Sequence, residues 1–417
     1  MLSKKINSLV NNKGVKFFVA NALFSASSFA FLFILPYTLK QEQYASTIFS
    51  IQIIYLLTMF FEMGLSISFL RNSAYDYQKS NIHSIAIETI IIVLILFLGL
   101  WTNNPINYIV SLHSENLREN IFVYFSIAAN IIWIFNKNHN IVEQNFLSLL
   151  KRSSVIFIGR IILISVLFFD KKEIFHPQLV LTFFFIIPFT LELILFIKRL
   201  FHYFYNKLWS KILRKDLFSF IIFSIQNYVA GILFNYTSRI YLLEANHFGM
   251  SAFIADAGYA MSFIGIINLL NNTLRTYFIG KPDMSSKEAI LLHYNKVSRF
   301  GKFFIFSAAI TSLLISIVIF YIKPSSLTTN APIYTFLLIF TNSIVMYLGM
   351  FTLLSKTLNL LNFEIKINII RLTLIFTLTY YLLENHPLYT IIFGQLILIV
   401  TEIVMKKYIQ HKLLNGF

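Results

Sequence analysis

Residues Leu217–Ile279 read LFSFIIFSIQNYVAGILFNYTSRIYLLEANHFGMSAFIADAGYAMSFIGIINLLNNTLRTYFI. Two apolar runs, each long enough to cross a hydrocarbon core of about 30 Å, flank a short polar turn. Arg239, Asp256 and Arg275 sit inside those runs. An ionic side chain at membrane depth costs roughly 2.5–3.5 kcal/mol on translocon scales, and it is retained where it faces protein, water or a ligand. This helix pair is therefore where a transported or bound group is expected to meet the chain.

The composition agrees with a membrane protein. Of 417 residues, 57% are hydrophobic and 12% are charged, with 46 Phe and no Cys. The absence of Cys excludes a disulfide framework and thiolate chemistry. The net charge of +16 does not point to nucleic acid, because the cations lie in the loops between apolar runs and form no basic, aromatic-interleaved domain. No nucleophile elbow, phosphate loop or His cluster at metal spacing is present, so the sequence implies no catalytic residue, metal or cofactor. The first apolar run is too long for a signal-peptide core and reads as a retained span.

Twelve spans are predicted, at 17–38, 45–70, 84–102, 119–136, 153–169, 178–198, 217–240, 252–277, 303–322, 333–354, 366–383 and 388–405. With this count, 27 Lys and Arg fall on or toward the side of the N-terminus and 5 on the other, while Arg239 and Arg275 complete the 34. By the positive-inside rule both termini are expected in the cytoplasm. The fold class expected is an all-α polytopic membrane protein, with about 12 helices in two six-helix lobes around a central cavity. The lobes would be residues 1–199 and 217–417, joined by a basic cytoplasmic linker, 200–216. The segment Lys137–Arg160 reads as an amphipathic cytoplasmic helix leading into the fifth span.

The polar residues inside spans sort by depth. Glu62, Glu88, Arg160, Glu192, Arg275 and Arg371 lie toward the cytoplasmic ends, where long Arg stems can snorkel. Asn268, Asn271, Asn272 and Arg275 share one helical face within about 100°, as the wall of a wet cavity would. Arg239 lies toward the outer end, where the positive-inside rule places no cation. It is either a structural partner of Asp256 or Glu244, or a ligand for an anionic headgroup, whose phosphate oxygens a guanidinium can hold in pairs. Ser25, Ser27, Ser28 and Asn21 make the first span polar without any acid. They would either line a path or let helices pack closely.

Three stretches carry a family resemblance. Phe61–Asn72 (FEMGLSISFLRN) ends the second span on an acidic-x-Gly-Leu pattern. Asn145–Phe169 runs from the fourth inside loop into the fifth span. Ser238–Leu242 (SRIYL), Phe248–Phe253 (FGMSAF) and Ala257–Ala260 (AGYA) form the passage from the seventh span to the eighth. The chain resembles the polysaccharide transporters of the multidrug/oligosaccharidyl-lipid/polysaccharide exporter superfamily, in particular the O-antigen flippases. The family often carries an acid before the Arg of that passage, where this chain has Ser238.

The resemblance implies an alternating-access flippase of the bacterial inner membrane, not an enzyme. Its substrate would be a lipid-linked oligosaccharide, a glycan repeat unit on undecaprenyl diphosphate. Arg239 and Arg275 would be headgroup cations, Asn268, Asn271 and Asn272 the cavity wall, and Glu62 the candidate coupling acid for a proton or sodium ion. A multidrug exporter of the same superfamily is the first alternative. It would call for acids at depth in the first and seventh spans, and neither has one. A membrane polysaccharide polymerase is the second, and it would need a larger external loop than the 16 or so residues around Asn103–Arg118.

Overall fold

The computed structural model describes residues 13–72, 77–101, 104, 106, 117–169, 177–205, 214–264, 287–357 and 360–415. These form thirteen helices, with no strand among the described residues. They are α1 Lys13–Thr38, α2 Gln41–Glu62, α3 Leu65–Asn72, α4 Tyr77–Leu100, α5 Leu117–Val142, α6 Phe146–Phe169 and α7 Pro177–Tyr205. They continue with α8 Arg214–His247, α9 Ser251–Ile264, α10 Lys287–Tyr321, α11 Ala331–Thr357, α12 Leu361–Leu382 and α13 Pro387–Asn415. The described part of each of the twelve expected spans is mostly helical, the second being divided between two helices. Among the described residues, seven helices are long and apolar enough by themselves to cross a membrane. Their outward faces carry lipid-type stripes: Ile90, Val93, Leu94 and Phe97 on α4, and Phe303, Phe306, Ile310 and Leu314 on α10, are all exposed. The chain is a multi-pass, all-α membrane protein.

Two expectations need correction. The second span is not one helix. It breaks at Met63 and Gly64, with φ of 50° and 67°, and restarts as α3. A Cβ at Gly64 would lie 2.7 Å from the Ser224 carbonyl oxygen and 3.2 Å from the Tyr228 nitrogen. Glycine therefore meets two demands here, a left-handed backbone and the close approach of α8. A run of 26 residues is too long for the bilayer as a straight rod, and the break absorbs the excess. Nor is Lys137–Arg160 a free-standing amphipathic helix. α5 continues to Val142, turns tightly through Gln144 (φ 54°), and α6 already begins at Phe146. Polar residues next to this turn are used inside the protein: Asn138 donates to Ser66 Oγ at 2.6 Å, and Asn136, just before the stretch, donates to the Glu192 carbonyl at 3.0 Å.

The chain divides into two compact units, Met1–Phe31 with Ser50–Ile232, and Leu32–Phe49 with Leu233–Phe417. In the first, α5 is the central helix and packs on α3, α4, α6 and α7. Ile92, Ala129, Ile132 and Phe196 form one cluster of its core, and Ala20, Trp133, Leu149 and Ile156 another. In the second unit α11 packs on α10 and α13. Gly301 lets α10 close on Tyr347, whose ring would lie 2.1 Å from a Cβ placed there. Met405, Ile409 and Leu413 of α13 complete this core with Phe363 and Ile367 of α12.

The α10–α11 connection in the second unit is closely tied. The Ser326 hydroxyl donates to the Pro36 carbonyl at 2.6 Å, and the Tyr37 hydroxyl donates to the Ile322 carbonyl at 2.7 Å. Asp256 of α9 accepts from the Thr328 backbone N–H at 2.9 Å and from the Thr328 hydroxyl.

Candidate functional site

In the second unit, Arg239 projects from the C-terminal half of α8 and is half-buried. Its Nη1 donates to the Asn235 carbonyl at 3.2 Å, to Asn235 Oδ1 at 3.5 Å and to Ser238 Oγ at 3.3 Å. The Ser238 that departs from the family pattern thus offers the guanidinium a neutral hydroxyl. Asp256 is 1% exposed and its two oxygens are engaged by Thr328, so it serves to anchor the α10–α11 connection. The passage from α8 to α9 turns at Gly249 (φ 68°), where Met250 N–H returns to the Ala245 carbonyl at 2.8 Å. Ala257, Tyr259 and Ala260, of the AGYA stretch, are buried, which explains the small residues there.

Arg275, Asn268, Asn271 and Asn272 lie outside the described residues. Glu62, in the first unit, sits at the α2–α3 break. Its Oε1 accepts the Ser66 backbone N–H at 3.0 Å. That is the role of a capping group, satisfying a donor that the restarted helix leaves open. The acidic-x-Gly-Leu pattern therefore reads as an acid that caps α3 and a glycine that makes the break.

The first unit also contains an arginine that sequence reasoning passed over. Arg160 on α6 is 1% exposed. Its Nη1 donates to Ser28 Oγ at 2.7 Å, to Ser27 Oγ at 3.2 Å and to the Phe24 carbonyl at 3.4 Å. Its guanidinium carbon lies 4.6 Å from the centre of the Phe24 ring and 4.0 Å from that of Phe184. Among the described residues no carboxylate pairs with it. The serines of the first span are thus the hydroxyl partners of a buried cation, rather than only small residues for packing. Aromatic faces and hydroxyl dipoles stabilise a desolvated guanidinium without cancelling its charge. One signal was available in the sequence: polar residues on α1 and an Arg in the apolar middle of α6, with no acid in either helix.

A second polar cluster lies in the same unit. Arg152 of α6 pairs with Glu192 of α7, and Asn136 of α5 donates to the same Glu192 oxygen at 2.5 Å. Glu192 is fully buried and this pair neutralises it.

No protein-family model matches the chain, and no curated protein is detectably similar in sequence. Solved structures are similar in fold. A multidrug resistance MATE family transporter of the MOP superfamily, in an inward-facing conformation, is 12% identical with a TM-score of 0.54, and 94% of each chain is covered. The outward-facing conformation of such a transporter is 11% identical with a TM-score of 0.53, covering 96% of this chain and 94% of that one. A MOP superfamily transporter from Pyrococcus furiosus, described as having a binding pocket of reverse polarity that suggests a different function, is 10% identical with a TM-score of 0.51. It covers 96% of this chain and 94% of its own. The chain therefore has the fold of the MATE-type transporters of the MOP superfamily, with about twelve membrane helices.

Proposed function

We propose that the protein is a flippase of the bacterial inner membrane. It moves lipid-linked oligosaccharides, glycan repeat units on undecaprenyl diphosphate, from the cytoplasmic to the outer leaflet by alternating access between lobes 1–199 and 217–417. The observation that carries this reading is Arg160, a fully buried cation held by hydroxyls, a carbonyl and two aromatic rings, with no carboxylate bonded to it among the described residues. A membrane protein that keeps a positive charge at this cost has a use for it, and a diphosphate headgroup supplies the complementary charge. Arg239, with its amide and hydroxyl neighbours, would serve the same headgroup in the other lobe. Arg275, Asn268, Asn271 and Asn272 would extend its polar wall, and Glu62 stays the first acid for ion coupling. An inside-negative potential favours outward movement of anionic charge by roughly 2.3 kcal/mol per charge per 100 mV.

The fold likeness to multidrug transporters supports export of drugs as the second reading. Against it, α1 contains no acid, and the acids of α8, Asp216 and Glu244, lie toward its two ends. Catalysis is disfavoured by the short loops between spans. The test is the leaflet distribution of undecaprenyl-linked saccharides in cells lacking the gene. Complete units stranded on the cytoplasmic face are expected. Units displayed outside but unpolymerised would replace the flippase with a polymerase, and a normal pool with normal surface glycan would favour the drug exporter.

A further inference from the structure

α6 and α7 of the first unit leave a groove of about 490 Å³ between them, lined by Leu147, Ser148, Lys151 and Arg152 on one side and by Leu191 and Ile194 on the other. Arg152 forms its floor and is 9% exposed. Its Nη1 is spent on Glu192, whereas Nε and Nη2 are enclosed with no hydrogen-bond partner among the described residues. The Trp133 ring, 5.9 Å from the guanidinium carbon, offers a face but no acceptor. Lys151 is exposed at the rim. α6 also begins here. Asn145 Oδ1 accepts the Ser148 backbone N–H at 3.3 Å, and the positive end of the helix dipole lies at the same groove.

Further along α7, Lys198 is exposed four residues after Ile194, and Arg199 lies within electrostatic reach of Arg152. Against these cations stand Glu192, engaged by Arg152 and Asn136, and the exposed Glu143 of the α5–α6 turn. Lys151, Arg152, Lys198 and Arg199 outnumber those two acids, so the rim keeps net positive charge. An apolar track starts where the charge ends. Val155, Ile158, Ile162 and Val166 follow Lys151 down one face of α6 and are 46–59% exposed. Ile194 and Ile197 of α7 are exposed as well. Exposed lysines alone would mark only the side of the membrane they stay on. A guanidinium that is nine-tenths buried with two idle nitrogens goes beyond such a signal.

A buried donor without an acceptor is costly, and a phosphate oxygen is the acceptor that a guanidinium fork suits best. We propose that this groove binds the phosphate of an anionic phospholipid of the surrounding bilayer. Arg152, Lys151 and the first turn of α6 hold the phosphate, and an acyl chain follows Val155, Ile158 and Ile162. A free phosphate would satisfy the donors and leave the apolar track unused, so the occupant is a lipid. It is a resident lipid that braces α6 against α7, not cargo. Arg160, the cation assigned to the carried headgroup, lies two residues after Ile158, about 200° round the helix from it. It is enclosed by Ser27, Ser28, Phe24 and Phe184 rather than turned to the groove. The lipid site therefore does not rest on the flippase reading.

The test titrates purified full-length protein in detergent with phosphatidylglycerol, phosphatidylcholine or inorganic phosphate, and counts bound molecules by native mass spectrometry. Phosphatidylglycerol should bind about ten-fold more tightly than phosphatidylcholine, and an excess of inorganic phosphate should not displace it. Ser148→Asp puts a negative charge into the groove at a helix position that favours one, so it should melt with the wild type and lose the preference. Lys151→Gln, at an exposed position, should weaken phosphatidylglycerol about five-fold, and it decides the matter if Ser148→Asp does not fold. Equal binding of the two lipids would overturn the proposal, as would a preference that both variants keep. Displacement by inorganic phosphate would put a free anion in place of the lipid and overturn it too. None of these outcomes depends on what is carried, so the leaflet assay can fail while the lipid site stands, and the reverse.

Discussion

Arg160 in the first unit and Arg371 in the second are both 1% exposed, yet they are held in opposite ways. Arg371 Nη2 donates to Glu402 at 2.9 Å, Nε to Thr401 at 2.8 Å and Nη1 to Asn368 at 2.9 Å. The Phe234 ring lies 5.4 Å from its guanidinium carbon. Its charge is cancelled within the protein, and its donors are spent on α12 and α13. Arg160 has the ring contacts and hydroxyls but no acid among the described residues. Buried arginine is thus not one kind of feature. A paired one holds helices together, whereas one without an acid leaves a net positive charge inside its helix bundle.

The strongest way to break this comparison is Arg160→Met. Surface expression and thermal stability in detergent should be unchanged or raised, because an uncompensated charge has been replaced by apolar volume. Export of lipid-linked glycan, followed by surface polysaccharide, should be lost. A fall in melting temperature with export intact would put Arg160 in the same class as Arg371. Arg371→Met should do the reverse. It leaves Glu402 buried without its cation and should cost about 3–5 kcal/mol, read as a lowered melting temperature. Adding Glu402→Leu should restore most of that loss. The smallest change is Ser28→Ala, which removes the 2.7 Å acceptor of Arg160 while Ser27 remains. A hydrogen bond to a charged group is worth about 1.5–3 kcal/mol, and Ser27 limits the loss to the lower end. Export should slow a few-fold, with a small fall in melting temperature.

The membrane class and the positions of the helices were legible because hydrocarbon thickness and hydropathy act along the sequence, one span at a time. The site was less so. Arg160 was assigned to snorkelling because it sits near the cytoplasmic end of its span, and sequence distance from a loop says nothing about which neighbour encloses a side chain. Ser27 and Ser28 are more than 130 positions away from it, and only their packing reveals the contact. The capping contact of Glu62 was not legible because the break after it was not read. Its clue was the glycine that follows in a run too long for one crossing.

The tie between Asp256 and the α10–α11 connection has a consequence for hydrogen exchange. Links between helices ordinarily trade their amide protons with water fastest of all. Here the N–H groups of Leu327, Thr328, Asn330 and Ala331 all have acceptors, at 3.1, 2.9, 3.1 and 3.3 Å. Ser326 and Leu327 are also shut away from solvent. Deuterium should therefore enter this short non-helical stretch at the pace of the helices it joins. The link opens when α9 lets go of Thr328, so its exchange clock reports on the second unit as a body rather than on a loop.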